Sequence, residues 1–157
     1  MDYKKPNYVY KYYKTSGLKS VDETSIYIMV KEQYSRVSLI SMIAPSPDWF
    51  VGVDSHDLCG SDGKWKDISP MDLLPWDAGT ENGKEFASTD IATTPQDFIK
   101  IIDQNSDTVI KADASKPFAK VTFIKYEEPE TSSALSFSAG VFTLLAIAFL
   151  ATLSLMY

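Results

Sequence analysis

Residues 24–31 read TSIYIMVK and residues 36–43 read RVSLISMI. Both stretches are dense in β-branched and aromatic side chains, which suit a pleated surface better than a helix. Apolar positions fall on both faces, the pattern of strands covered on two sides. Pro45 and Pro47 end the second stretch, because proline gives no N–H to a ladder. Residues 50–53 (FVGV) form a further short apolar run, residues 108–111 a short candidate strand, and residues 120–126 (KVTFIKY) alternate as a strand does. Only residues 95–103 (PQDFIKIID) offer a brief helical spacing, with Phe98, Ile101 and Ile102 on one side. The expectation is an all-β domain, an antiparallel sandwich.

The 157 residues carry a net charge of −6, unevenly spread. Residues 1–20 hold five lysines against Asp2, residues 21–130 hold ten basic and twenty acidic side chains, and residues 131–157 hold none. An acidic body argues against a nucleic-acid partner, which needs a lysine and arginine face to neutralise phosphates. With 45% apolar and 13% aromatic residues the chain has the means to build a core.

Residues 139–157 read AGVFTLLAIAFLATLSLMY, without a charge or a proline. As a helix they would span about 28 Å, close to a hydrocarbon core of roughly 30 Å. A C-terminal hydrophobic, membrane-directed helix is expected there, either a transmembrane span or a glycosylphosphatidylinositol (GPI) attachment signal. Thr131, Ser132, Ser133 and Ala134 are the small residues such a signal places ahead of its apolar tail. No basic residue follows the run, which favours the signal. At the other end, residues 1–17 contain no apolar run of signal-peptide length. Two topologies stay open: a longer natural chain exported from the cell, or a cytosolic body held by its tail. Cys59, the one cysteine, fits either.

Signatures of catalysis are missing. There is no HExxH or GxSxG, and residues 79–84 (GTENGK) lack the glycine spacing and the Ser or Thr of a phosphate loop. His56 lies near Cys59 and Ser61, too close in sequence for a triad whose members converge from separate elements. The expectation is a protein that is not an enzyme. Chemistry gathers elsewhere. Residues 48–81 contain eight acidic and two basic side chains with three tryptophans. Loops of that composition at one end of a sandwich can offer oxygen ligands to a hard cation, and calcium does not need one contiguous loop. Asp62, Asp67 and Asp72 are read as solvated surface.

These residues carry a resemblance. Residues 36–54 (RVSLISMIAPSPDWFVGVD), Leu58–Cys59 after them, and residues 73–83 (LLPWDAGTENG) resemble the spondin domain of F-spondin and mindin, secreted matrix proteins. Weaker likeness continues through Thr94, Pro95 and Gln96 to residues 119–122, and the likeness as a whole covers about residues 24–126. They look like the C-terminal two-thirds of the domain, or a divergent form of it. The resemblance implies a β-sandwich related to calcium-dependent membrane-targeting domains. It also implies a calcium ion held by Asp48, Asp77 and Glu81, the last standing where the family usually has aspartate. It pairs Cys59 with a cysteine early in the domain, and this sequence has none there. It implies adhesion or matrix contact, with integrins among the receptors.

The organisation expected is therefore a weakly structured segment 1–20, a spondin-like sandwich 21–126, a linker 127–138 and the membrane-directed tail 139–157. The function expected is an extracellular or cell-surface, membrane-attached, calcium-binding module in cell adhesion. The alternative is a cytosolic, tail-anchored interaction domain without a metal site.

Overall fold

The computed structural model describes residues 9–17, 23–126 and 147–155, the last as backbone. Ten strands follow in order: β1 (Glu23–Val30), β2 (Arg36–Met42), β3 (Trp49–Asp57), β4 (Ile68–Leu73), β5 (Pro75–Asp77), β6 (Glu81–Asn82), β7 (Ile91–Ala92), β8 (Lys100–Ile101), β9 (Ala119–Tyr126) and β10 (Ile147–Leu155). One sheet has the order β1-β10-β9-β4, a second β2-β3-β5-β8, and β6 pairs with β7 alone. Every ladder is antiparallel. The all-β, antiparallel architecture expected of the body is what the described residues form.

The core lies between the two four-stranded sheets. Trp49, Val51 and Val53 alternate inward along β3, Val121 and Phe123 along β9, and Ile28 and Val30 along β1. Leu58, Leu73, Pro75 and Ile102 fill in from loops and short strands. Not every strand is covered on both faces. Ile40 and Met42 of β2 point away from the core and are 73% and 61% exposed, so their hydrophobicity reflects an open outer face.

Three local expectations are corrected. Residues 95–103 form no helix; nine residues are too few to hold one without tertiary support, and their N–H groups are engaged elsewhere. Asp97 N–H donates to Gly79 O at 2.9 Å and Ile102 N–H to Pro75 O at 2.8 Å. Phe98 is 88% exposed while Ile102 is buried, so the two do not share a face. Residues 108–111 make no strand, and the Val109 N–H reaches across to Lys84 O at 2.7 Å. Residues 48–81 are not mainly loop, because β3, β4 and β5 run through them. Pro70 and Asp72 disguise β4, yet β4 is an edge strand paired with β9 alone, the place a sheet tolerates proline.

The opposite edge of that sheet is β1. Residues 9–17 have no regular structure but lie against it. The Met29 N–H donates to the Tyr13 hydroxyl at 2.7 Å, Tyr10 stacks on Tyr34 at 5.4 Å, and the Lys31 ammonium sits 4.4 Å from the Tyr10 ring centre.

Within the stretch expected to be helical, residues 147–155 run as β10 between β1 and β9. Residues 139–146 and 156–157, the linker 127–138 and the small residues 131–134 lie outside the described residues. Among the described residues no helix is long and apolar enough to cross a membrane.

Candidate metal centre

The β3–β5 ladder sets Trp49 opposite Asp77. Asp48, one residue before Trp49, therefore stands beside Asp77 and Ala78, whose N–H donates to Asp48 O at 3.3 Å. No reading of separate motifs gives this adjacency; it comes from strand pairing across nearly thirty residues of chain. Glu81 opens β6 after a turn through Gly79, where φ is +74°. A Cβ at Gly79 would come within 2.5 Å of Asp97 O, so glycine serves both the left-handed turn and the close approach of the 97–98 segment. Gly83 likewise lets its loop close on Pro47, 2.4 Å from the position a Cβ would take.

Asp48 is the organising side chain. Its Oδ2 accepts from Thr80 N–H at 2.6 Å, Thr80 Oγ1 at 2.9 Å and Glu81 N–H at 3.0 Å. Its Oδ1 is buried and has no hydrogen-bond partner. Asp77 Oδ1 accepts from Gly79 N–H at 2.8 Å, an Asx turn that shapes the chain between the second and third acids. Lys100 faces Asp77 across the β5–β8 ladder. Its hydrogen bond to Asp97 (2.9 Å), then attraction to Asp77, Asp97 and Asp48, raise the ammonium pKa against the opposing effect of burial.

The sequence-expected ligands thus meet in part. Asp48 and Asp77 are brought together by register, and Glu81 is tied to Asp48 through its backbone rather than its carboxylate. Among the described residues no three His, Cys, Asp or Glu side chains gather into a metal-holding cluster. The donor set still suits a hard cation: a buried carboxylate oxygen without a donor costs about 1–3 kcal/mol, and calcium accepts carboxylates, carbonyls and water together. Thr80 and Lys100 belong to this centre as well; Thr80 lies inside the 73–83 motif without being marked as a ligand, and Lys100 carries no sequence signal. Asp62, Asp67 and Asp72 are exposed, as expected of solvated surface. A cleft of about 690 Å³ opens beside the centre, lined by Asp77, Glu81, Lys84, Asp97, Lys100 and Asp107 among others.

His56 has a different setting from the one its neighbours in sequence suggest. Asp54 and Ser55 together oppose Ser38 as a β-bulge between the pairs Leu39↔Val53 and Val37↔His56. Ser55 takes φ 53° and its N–H donates to Ser38 Oγ at 2.9 Å. The extra residue turns His56 from the outer face to the inner one. There its ring stacks on Phe123 at 5.6 Å and its Nε2 lies 2.8 Å from Ser69 Oγ on the other sheet. Burial, then the Lys66 charge, lowers the imidazole pKa, with Asp57 opposing. Cys59 is a free thiol whose pKa burial pushes up, with Asp57, Glu32 and Asp62 adding to the rise. A thiol held protonated is a poor nucleophile.

The two packed sheets and their acid-bearing loops define an antiparallel β-sandwich module. The chain belongs to the spondin family: the Spondin_N model matches residues 1–125, so the likeness extends ahead of the motifs at 24–126 through the tyrosine-rich N-terminal stretch. It is 40% identical to human (Homo sapiens) spondin-2 over 113 residues, 68% of this chain and 34% of that protein. It is 44% identical to chicken (Gallus gallus) spondin-1 over 64 residues, 41% of this chain and 8% of that protein. The chain thus spans about a third of the length of spondin-2 and less of spondin-1.

Proposed function

We propose that this chain is an extracellular, non-enzymatic spondin module that binds one calcium ion at Asp48, Asp77 and Glu81. In this reading the ion orders the loops that meet matrix or cell-surface proteins, receptors of the integrin kind among them. Residues 139–157 attach the module to a membrane, as a span or through a GPI anchor. The observation that carries the metal site is the buried, unpartnered Oδ1 of Asp48, in a carboxylate whose other oxygen already holds three donors. A cation beside Asp77 satisfies that oxygen and offsets the repulsion between the two acids. Its role in this reading is structural, locking the loops around Asp48 and Thr80. Calcium is favoured over magnesium, which demands a small octahedral shell and gives up its waters reluctantly.

Calorimetric titration of the chelator-treated protein tests the site. One calcium equivalent with measurable heat is expected, absent in Asp77→Asn. No heat with the wild type, at concentrations up to millimolar, rejects the metal and with it the ordered-loop mechanism.

A further inference from the structure

The sheet containing β9 and β1 is joined only through β10. Every residue of β10 has a register partner: Val30 to Glu23 of β1 pair with residues 147–154, and Tyr126 to Ala119 of β9 pair with residues 148–155. Without β10 those two strands stand two strand spacings apart, about 9.5 Å, and each presents an open row of N–H and C=O groups.

Register also divides the tail by period two. Positions 147, 149, 151, 153 and 155 lie in the rows of Val30, Ile28, Phe123, Val121 and Ala119, all buried toward the core. The residues there are Ile, Phe, Ala, Leu and Leu. Positions 148, 150, 152 and 154 lie in the rows of Met29, Tyr27, Ser25 and Glu23, all exposed. The residues there are Ala, Leu, Thr and Ser. Thr152 and Ser154, the polar positions of this strand, both fall on the outer rows. A bilayer helix has no use for that alternation, whereas a strand with one covered face requires it.

The connection is long for what it joins. Tyr126 is the partner of Ala148, and adjacent antiparallel strands can be linked by two residues. Here residues 127–146 intervene, a connection far longer than the pairing itself requires.

We propose that the gap between β1 and β9 is a docking slot for residues 147–155, and that a docked tail is withheld from the membrane. The second half rests on the attachment reading above; the docking itself does not. The chain then has a sheet-completed form and a membrane-engaged form, which compete for the same nine residues.

The test uses the full chain in a Cys59→Ser background. Ser25→Cys with Thr152→Cys places two thiols at register partners on the outer rows, within disulfide reach. Ser25→Cys with Ala151→Cys is the register-shifted control. Mild oxidation should cross-link the first pair at least tenfold faster than the second. The oxidised first variant should no longer float with phosphatidylcholine vesicles, and reduction should restore flotation. Equal cross-linking of both pairs, or none of the first, overturns docking. Register-specific cross-linking with undiminished flotation overturns the competition. Register-specific cross-linking with no flotation in either redox state supports docking and rejects membrane attachment instead. A second variant keeps composition fixed: Thr152→Leu, Leu153→Thr, Ser154→Leu and Leu155→Ser reverse the alternation without changing total hydropathy. Amide exchange over residues 119–126 should quicken at least tenfold; unchanged protection overturns the proposal.

Discussion

Replacing Asp48 by asparagine separates the two tasks given to this carboxylate. The amide oxygen can still accept from Thr80 N–H, Thr80 Oγ1 and Glu81 N–H, so the loop keeps its shape. Three charge-assisted bonds become neutral, a loss of about 1 kcal/mol each. The amide NH2 that replaces Oδ1 is still buried without a partner but, being neutral, costs about 1 kcal/mol less to bury than the charged oxygen. In chelator the variant should therefore melt with a loss of no more than about 2 kcal/mol. Calcium at a hundred times its dissociation constant should stabilise the wild type by about 2.7 kcal/mol. For a chain of this size that is roughly 5–11 °C in Tm. The variant should gain almost none of it. Asp48→Ala, which loses all three bonds, should instead fall by about 3–4 kcal/mol even in chelator. Paired calorimetric melts in calcium and in chelator read all four values. An asparagine variant that keeps the full calcium shift refutes the assignment of Asp48 as a ligand.

Lys100→Gln removes a cation drawn to Asp77 and Asp48, and calcium should bind up to about fivefold tighter, as exposed charge pairs are worth about 0.2–1 kcal/mol; calorimetry giving weaker binding contradicts the placement. His56, whose folded pKa lies below 6.5, binds fewer protons folded than unfolded, so its contribution is present above pH 6.5 and lost as pH falls toward and through the folded value. Melts from pH 8 to pH 5 should show that loss in the wild type and a flatter profile in His56→Gln. Trp49 is fully buried with an unpartnered indole N–H. Trp49→Phe should stay within about 1 kcal/mol of wild type in urea unfolding, because shedding the orphan donor offsets the lost packing. A loss above about 3 kcal/mol there means the N–H finds a partner in solution.

The strands that sequence reasoning finds are those whose side chains vote together. Residues 24–31, 36–43 and 120–126 are rich in β-branched residues, and they became β1, β2 and β9. β4 escapes because Pro70 and Asp72 contradict a strand locally, and only edge position and the pairing with β9 make one. β5 is three residues and β8 two, too short for any periodicity. At the metal centre the family motifs named Asp48, Asp77 and Glu81, but their arrangement depends on the Trp49↔Asp77 register. Asp48 therefore reads as a ligand in sequence, yet in the fold it is also the acceptor that builds the Thr80–Glu81 turn. The contact between His56 and Ser69 was illegible for a related reason: a single bulge at Ser55 reverses which way the histidine faces, and alternation rules fail past that point.

Both borders of the β1-β10-β9-β4 sheet carry a small device against edge pairing. At β4 the ring of Pro70 takes away a donor, and at β1 the Tyr13 hydroxyl occupies the N–H of Met29. Any β module that meets copies of itself at high concentration risks pairing edge to edge. There, a free border would let neighbours zip together strand by strand into a growing ribbon. With one donor missing from the β4 border and one donor of the β1 border already engaged, edge-to-edge pairing is weakened at both sides of the sheet.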